Sequence, residues 1–120
     1  MYAIAFNPEQ QLLDIRWEGP FTPEAVGAYA RDLRNRFRMA TFQPGYRLRM
    51  DMSRSAVQPQ DAVAAFREHF HDFPKAERIA IVTRSAIAKM QVQREMTQPY
   101  LRIFDRAEAA LDWLLERAPA

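Results

Sequence analysis

The chain has 120 residues, of which 48% are hydrophobic and 27% are charged, and its formal net charge is +2. This length suffices for one domain with its own core, and the apolar fraction is too high for a disordered chain. The absence of cysteine excludes disulfides, zinc–thiolate sites and cysteine catalysis. No apolar run approaches the roughly 18 residues of a membrane span, and the first residues do not resemble a signal peptide. We therefore expect a cytoplasmic protein.

The start of the chain predicts two strands joined by a short turn. Residues 2–6 alternate large apolar side chains with small ones, and residues 13–18 alternate apolar with charged side chains. The four polar residues between these strands, 7–10, have turn chemistry, and a direct connection of this length favours an antiparallel hairpin. The second strand is therefore expected to have one apolar and one charged face.

The first helix is predicted to begin at Thr22-Pro23-Glu24, which combines a hydroxyl N-cap, a proline at the first helical position and an early acid. Its apolar residues recur at helical spacing and are Val26, Tyr29, Ala30, Leu33 and Phe37.

A basic cluster begins in this helix and continues into the next strand. Six arginines against the single acid Asp32 give this stretch a local excess of five positive charges. The six are Arg31, Arg34, Arg36, Arg38, Arg47 and Arg49. Such a cluster can attract nucleic acid or another anion. We favour the interpretation that these arginines are the solvated faces of a helix and a strand, and we rank nucleic-acid binding last.

A third strand and a second helix follow. The strand covers residues 46–51, where apolar residues alternate with Arg47, Arg49 and Asp51. A polar connection, residues 53–59, leads into the helix, which Pro74 ends. The buried stripe of this helix is predicted to be Val63, Phe66, Phe70 and Phe73.

A fourth strand is predicted at residues 78–82, because residues 79–82 are all apolar and neither face of the strand would carry a polar side chain. Such a run is typical of a strand that is covered on both faces or flanked by paired neighbours. The third helix is predicted from about Ser85 to Met96, with Ile87, Met90 and the aliphatic stem of Arg94 directed inward.

The last strand and helix are predicted from residue 100 onward. The strand covers residues 100–104. Asp105, followed three residues later by Glu108, forms a capping-box pattern for the fourth helix. The apolar residues of that helix are Ala107, Ala110, Leu111, Leu114 and Leu115, before the tail at 118–120.

The resulting order is β-β-α-β-α-β-α-β-α, with no linker and no composition break, which predicts a single α/β domain over residues 1–120. Right-handed crossovers between neighbouring parallel strands place helices on the same side of a sheet. We therefore expect a sequential sheet whose helices shelter mainly one face. The charged residues Asp14, Arg16, Arg47 and Arg49 would then face water on the other.

Three stretches resemble the SpoIIAA-like branch of the STAS fold (sulphate transporter and anti-sigma-factor antagonist domains): residues 46–53, 73–82 and 101–114. The final stretch, in which Phe104 and Asp105 precede an Ala-x-x-Trp-Leu end, is the most similar. The resemblance implies a SpoIIAA-like β-α superhelix with a mostly parallel five-stranded sheet, an N-terminal antiparallel hairpin and about four helices. It also implies a regulatory or protein-interaction module rather than an enzyme.

In signalling members of the wider family, a serine at the start of the helix after the middle strand is phosphorylated, which switches the binding of a kinase partner. That serine lies in an Asp-Ser-Ser-Gly type of motif. Here residues 57–62 contain neither serine nor glycine, and Ser53 and Ser55 lie earlier, on the loop. The resemblance therefore does not carry a phosphorylation site to this chain, although Asp61 could supply a fixed negative charge at that helix start.

The carboxyl ends of the predicted parallel strands gather hydroxyls and arginines beside helix N-termini, where an anion or an acidic residue of a partner can bind. The candidate binding residues are Ser53, Arg54, Ser55, Thr83, Arg84 and Ser85. The alternative is that Ser85 and Asp105 only cap helices and that the arginines are solvated. We consider this alternative the more frequent outcome for such residue types.

Motifs for catalysis, metal ions or cofactors are not found. His69 and His71 are two residues apart on a predicted helix, so they point in different directions and cannot chelate one ion. No serine has a nucleophile-elbow context, and glycines at 19, 27 and 45 alone cannot form a phosphate-binding loop. We predict no catalytic residues, no metal site and no cofactor.

Two functions from different classes remain. The first is a module that binds a protein partner, which includes a second copy of itself as a homodimer. The alternative is a small carrier of a lipophilic molecule, since the wider fold includes lipid-carrying relatives. An apolar pocket between the second and third helices would be lined by Phe66, Phe70, Phe73, Met90 and Met96. An aromatic stripe at helical spacing is more often part of the core, so we rank the carrier second.

Overall fold

The structure is a computed structural model in which residues 1–55, 58 and 60–116 are described. The predicted tail at 118–120 and positions 56, 57 and 59 of the connection before the second helix lie outside the described residues. The predicted order of elements is confirmed. The strands are β1 (Tyr2–Asn7), β2 (Leu12–Glu18), β3 (Arg47–Arg54), β4 (Arg78–Val82) and β5 (Leu101–Phe104). The helices are α1 (Pro23–Met39), α2 (Gln60–Phe70), α3 (Ala86–Glu95) and α4 (Ala107–Leu114).

The five strands form one sheet in sequential order, β1-β2-β3-β4-β5. β1 pairs antiparallel with β2, and every later pair is parallel. The polar turn at residues 7–10 closes the hairpin because Asn7 Oδ1 accepts a hydrogen bond from the Gln10 backbone N–H at 3.2 Å. β2 ends at Glu18, and the next residue, Gly19, has a φ of +79° that suits glycine. The predicted mostly parallel sheet with an N-terminal hairpin is therefore confirmed.

The larger hydrophobic core lies on the face of the sheet to which the alternating apolar side chains of β2 point. Leu13, Ile15 and Trp17 are almost completely buried there against Val26 and Tyr29 of α1. Aromatic rings make up much of this core, as the centroid of Trp17 lies 4.8 Å from that of Tyr29. The N-cap of α1 is as predicted, since Thr22 Oγ1 accepts from the Ala25 N–H at 3.0 Å.

α1, α2 and α3 pack on one face of the sheet, in line with the expectation that the helices shelter mainly one side, whereas α4 packs on the opposite face. Ala110 and Leu114 are buried against Ala80 and Val82, which alternate along β4 with the residues that face the larger core. The right-handed rule constrains a helix that returns the chain to a neighbouring parallel strand, and within residues 1–55, 58 and 60–116 no strand follows α4. α4 can therefore pack on those apolar side chains of β4 that the other helices do not cover.

The charged side chains on one face of β2 and β3 are only partly solvated. For Arg49 this corrects the expectation that its side chain faces water. Arg16 is exposed, whereas the Arg49 side chain is only 17% exposed. Its Nε and Nη2 donate to the two carboxylate oxygens of Asp14 at 2.9 and 2.5 Å, and its Nη1 donates to the Ala107 carbonyl at 3.1 Å. The start of α4 therefore covers Arg49 because it lies beside β3.

Two predicted details of the middle helices are wrong. α2 ends at Phe70, so Phe73 belongs to the turn that follows. Ile87 and Met90 of α3 are 63% and 60% exposed, and Arg94 is exposed as well. The buried residues of this helix are Ala88 and Val92.

The inward face of α3 is determined by polar contacts that the apolar pattern does not reveal. The Gln91 side chain, on the same helical face as Ala88, exchanges hydrogen bonds with the backbone of Gln58: Gln91 Nε2 donates at 2.8 Å and Gln91 Oε1 accepts at 3.2 Å. These bonds orient the helix so that Val92 faces the core and Met90 faces solvent.

The predicted capping box of the last helix is also wrong. The N-cap position of α4 is Arg106 rather than Asp105, and no side chain makes a capping hydrogen bond there. α4 begins one residue later than the pattern indicates, so the spacing from Asp105 to Glu108 no longer matches the N-cap and third helical positions.

Candidate functional site

The six candidate binding residues lie at the end of two adjacent parallel strands. The register pairs Asp51 of β3 with Val82 of β4, so the residues that follow each of them emerge at the same edge of the sheet. Ser53–Ser55 and Thr83–Ser85 together are termed the strand-end edge below. The structure therefore places the two predicted groups on one edge.

The β3 half of this edge is tied to local partners. Ser53 Oγ lies 2.6 Å from Asp51 Oδ1, to which it donates, and Ser55 Oγ donates to the Trp17 carbonyl at 2.8 Å. Arg54 Nη1 approaches Glu18 Oε1 at 3.4 Å, with 71% of the arginine side chain exposed. The two hydroxyls stabilise the end of β3, while the Arg54 guanidinium faces solvent.

The β4 half is arranged in the same way. Thr83 is buried, and its Oγ1 accepts from the Ser85 N–H at 3.2 Å. Ser85 Oγ accepts from the Ala88 N–H at 3.1 Å and is the N-cap of α3, as the capping interpretation expected. Arg84 is exposed, and its Nε donates to the Asp105 carbonyl at 3.2 Å. The exposed cations Arg54 and Arg84 are thus the groups of the edge best placed to contact another molecule.

The connection that corresponds to the phosphorylated serine of the wider family leads into α2. Gln58 is buried there, and its Oε1 accepts from the Phe21 N–H at 2.6 Å. Gln60 and Asp61, the first residues of α2, are both exposed. Val57 and Pro59 lie outside the described residues. The described helix start therefore presents an amide and a carboxylate.

Most of the basic cluster is bound to acids or carbonyls. Arg34 contacts Asp72 at 2.8 Å and also the His69 carbonyl, and Arg36 contacts Asp32 at 3.0 Å. Arg36 Nη1 also donates to the Ile4 carbonyl at 3.3 Å, Arg49 is bound to Asp14, and Arg47 donates to the Gln10 carbonyl at 3.0 Å. Four of the six arginines therefore have a partner outside their own element. The cluster therefore does not form one continuous basic surface.

Two adjoining cavities of about 190 and 200 Å³ lie between the helices and the sheet. Residues from α3, including Gln91 and Glu95, line the first, termed the α3 cavity. Tyr29 and Leu33 from α1 line the second, termed the α1 cavity. The residues common to both linings include Met50, Phe66, Phe70, Ile81, Met96 and Gln98.

These cavities occupy the region in which the sequence predicted an apolar pocket. Phe66, Phe70 and Met96 line both cavities, and Phe73 lines the α1 cavity. Met90 lines neither and faces solvent, so that assignment is wrong. The two phenylalanines of α2 are only half-buried because they border empty space as well as the core.

Polar contacts join the helices beside the α3 cavity. Arg67 of α2 forms an ion pair with Glu95 of α3, and both side chains line the cavity. The two hydrogen bonds between the Gln91 side chain and the Gln58 backbone form another part of the wall of this cavity. None of these four residues stands out in the sequence, because charged and amide side chains on helices are usually solvated and no short-range pattern marks this pairing.

Neither a metal centre nor a membrane span is indicated in the part of the chain that the structure describes. Over residues 1–55, 58 and 60–116, no three histidine, aspartate or glutamate side chains are grouped closely enough to hold a metal ion. Within the same residues, no helix combines the length and the apolar character that crossing a membrane requires.

Comparisons with known proteins agree on the fold. The profile of a protein family described as SpoIIAA-like matches residues 12–115. An uncharacterised protein from Shewanella loihica PV-4 with a SpoIIAA-like fold is 18% identical, with a TM-score of 0.71 over 94% of this chain and 93% of that one. The anti-sigma factor antagonist SpoIIAA in its unphosphorylated form is 11% identical, with a TM-score of 0.68 over 99% of this chain and 100% of that one.

A third solved structure, an anti-sigma factor antagonist from Mycobacterium paratuberculosis, is 10% identical, with a TM-score of 0.55 over 95% of this chain and 94% of that one. A comparison with curated proteins gave no match. At these identities the structural neighbours show a shared fold, and the family profile independently supports the resemblance noted in the sequence.

Proposed function

The chain belongs to the SpoIIAA-like family, and on that premise we propose that it is a STAS-like regulatory module without enzymatic activity, which acts by binding a protein partner. Two structures with this fold are named anti-sigma factor antagonists, which is the ground for expecting a protein partner rather than a substrate. The absence of cysteine suits a reducing compartment, and we propose that the module works in the cytoplasm.

The observation that supports this proposal best is the exposure of Arg54 and Arg84 at the strand-end edge. Both lie beyond the carboxyl ends of neighbouring parallel strands, where α/β sheets commonly bind ligands. Each has at most a weak contact, at 3.4 and 3.2 Å, so each keeps donors for the carboxylates of a partner. We propose that this edge binds an acidic segment of the partner.

A charge-reversal experiment tests the strand-end edge. The double variant Arg54→Glu/Arg84→Glu is compared with Arg31→Glu/Arg38→Glu, which makes the same change in net charge at two exposed positions of α1. Affinity capture from cells that express the chain, with identification by mass spectrometry, should recover a partner with the wild type and the α1 variant and lose it with the edge variant. Equal capture by both variants would refute the assignment of the edge.

A second copy of the chain is one form that this partner can take. Native mass spectrometry of the purified protein at several concentrations separates a homodimer from a monomer that awaits a different partner. If the homodimer uses the strand-end edge, it should dissociate in the edge variant and persist in the α1 variant.

The carrier of a lipophilic molecule is a second candidate function, and the two adjoining cavities are the observation that favours it. Their shared lining is mainly apolar, and protein interiors seldom leave such space unfilled. Val63→Phe would fill part of the α3 cavity, whereas Ala64→Phe adds the same ring at an exposed position of α2. Organic extraction of the purified protein should yield a bound lipophile with the wild type and Ala64→Phe, and less with Val63→Phe.

A further inference from the structure

We propose that the α1 cavity binds a small single-ring aromatic molecule that carries one hydroxyl group, and that Tyr29 recognises this hydroxyl. The proposal rests on the second candidate function, the carrier, and it adds the chemical class of the ligand. It is independent of the strand-end edge, which lies at the ends of β3 and β4.

The hydroxyl of Tyr29 is the first observation. Tyr29 is 0% exposed and lines the α1 cavity, and its hydroxyl has no hydrogen-bond partner among the described residues. Burial raises the pKa of Tyr29, so the phenol remains protonated and can donate. A buried polar group without a partner is unfavourable, and such groups in native proteins usually pair with water or a ligand.

Tyr46 shows that a tyrosine hydroxyl beside this cavity can find a hydrogen-bond partner within the protein. It lines the same cavity, and its hydroxyl donates to the Pro74 carbonyl at 2.8 Å. Tyr29 and Tyr46 are therefore two phenols on the lining of one cavity: the Tyr46 hydroxyl is paired within the protein, and the Tyr29 hydroxyl has no partner among the described residues.

A second available group lies on the same lining. Gln98 lines both cavities, and its buried Oε1 accepts no hydrogen bond from the described residues. A ligand hydroxyl both donates and accepts, so it can accept from Tyr29 or donate to Gln98. A carboxylate could accept from Tyr29 but could not donate to Gln98. The two basic side chains on the lining, Lys75 and His71, belong to residues that are exposed.

The size and the lining of the cavity select the rest of the ligand. Its volume is about 200 Å³. An engineered apolar cavity of about 150 Å³ in another protein binds benzene, so one ring with a short alkyl group is a suitable size. Phe70 and Phe73 border the space, and aromatic rings pack well against other rings at their edges and faces.

A matched pair of probes tests the proposal: 4-ethylphenol and ethylbenzene, which differ only by the hydroxyl. Titrations followed by amide NMR shifts should show 4-ethylphenol binding about tenfold more tightly to the wild type, the change expected for one hydrogen bond to an otherwise unpaired group. In Tyr29→Phe this preference should fall to about twofold or less while ethylbenzene binds as before. Tyr46→Phe is the control and should keep the preference, because its hydroxyl is already paired.

The outcomes separate the inference from the carrier function on which it rests. Equal binding of the two probes to the wild type, or a preference that persists in Tyr29→Phe, overturns the recognition of a hydroxyl and leaves the carrier intact. Tighter binding of 4-ethylbenzoate than of 4-ethylphenol overturns the uncharged class of ligand. If no probe binds, or if a crystal structure shows a water on the Tyr29 hydroxyl that 4-ethylphenol does not displace, the α1 cavity is not a ligand site.

Discussion

Arg49 joins three elements on the face of the sheet that α4 partly covers. Its guanidinium makes two hydrogen bonds to Asp14 of β2 and one to the Ala107 carbonyl at the start of α4. The hydrogen bonds to Asp14 raise the pKa of the Arg49 guanidinium above its ordinary value, so its charge persists at any ordinary pH. A planar fork with several donors can hold both partners at once, which an ammonium group cannot do with the same geometry.

Replacement of Arg49 by lysine should therefore destabilise the protein by about 1–2 kcal/mol, because the paired contact with Asp14 and the bond to Ala107 cannot both be kept. Arg54→Lys is the matched control, since its contact with Glu18 is long and exposed, and it should change stability by less than about 0.5 kcal/mol. Urea unfolding of both variants measures the difference. Equal effects would contradict the role given to Arg49.

Buried tyrosines should make the protein less stable at alkaline pH. Burial raises the pKa of Tyr46 and of Tyr29 above the ordinary value of about 10. Above that pH the unfolded chain releases protons that the folded chain keeps, so the free energy of unfolding falls as pH rises, by up to about 1.4 kcal/mol per pH unit for each group. The contribution is fully present below about pH 10 and is lost as pH rises toward the folded-state pKa values.

Tyr46→Phe separates this effect from other titrations. At about pH 8 the variant should be less stable than the wild type, because the hydrogen bond to Pro74 is lost. At about pH 11 the gap should narrow, because only the wild type carries the penalty of keeping this phenol protonated. Urea unfolding at the two pH values measures the gap, and a gap that is the same at both would contradict the prediction.

At the scale of the element, the helices differ in how they begin. Thr22 and Ser85 accept hydrogen bonds from backbone N–H groups three residues later, whereas α4 begins at Arg106 without a side-chain cap. The sequence shows a capping residue before all three helices. Only the backbone direction at each entry determines whether the side chain reaches the free N–H groups.

This difference predicts unequal costs for two similar substitutions. Ser85→Ala should reduce the free energy of unfolding by about 1 kcal/mol, because it removes the bond to the Ala88 N–H. Asp105→Ala should change it by less than about 0.5 kcal/mol, since Asp105 does not cap α4. Thermal or urea unfolding compares the two, and a larger loss for Asp105→Ala would show that the capping box forms after all.

At the scale of the whole molecule, the sheet has a hydrophobic core on each face, and β4 contributes to both. Ile79 and Ile81 face the large core with α1, and Ala80 and Val82 face the small core with α4. Each core has one tryptophan. Trp17 is buried in the large core. Trp113 packs at the border of the small core, beneath the guanidinium groups of Arg78 and Arg102. Because one strand serves both cores, we propose that residues 1–120 unfold as one cooperative domain.

The two tryptophans test this proposal. In Trp113→Phe the fluorescence reports the large core, and in Trp17→Phe it reports the small core. In each variant the fluorescence and circular dichroism transitions in urea should have the same midpoint, as expected for two-state unfolding. A fluorescence transition of Trp113 at lower urea than the circular dichroism transition of the same variant would show that α4 detaches first.

The candidate site was predictable in part. That Ser53–Ser55 and Thr83–Ser85 lie at one edge follows from the parallel strands, because the carboxyl ends of parallel neighbours meet. The bonds that occupy Ser55 and Thr83 depend on Trp17 and on the path of the chain after β4, and no local pattern indicates them. The sequence also indicated an apolar pocket lined by Phe66, Phe70 and Met96. The contribution of α1 to its lining and the unpaired hydroxyl of Tyr29 could not be predicted, since packing leaves such space only where several elements meet.

The order of the strands and helices and the apolar face of β2 follow from local patterns in the sequence, because the backbone repeats every two residues in a strand and every 3.6 in a helix. The sequence also indicated the SpoIIAA-like fold. Three features became known only from the packed chain: α4 covers the second face, Val92 rather than Met90 of α3 is buried, and Arg49 binds Asp14. Each of these depends on which distant segments meet, and short-range periodicity carries no information about contacts between residues far apart in the chain.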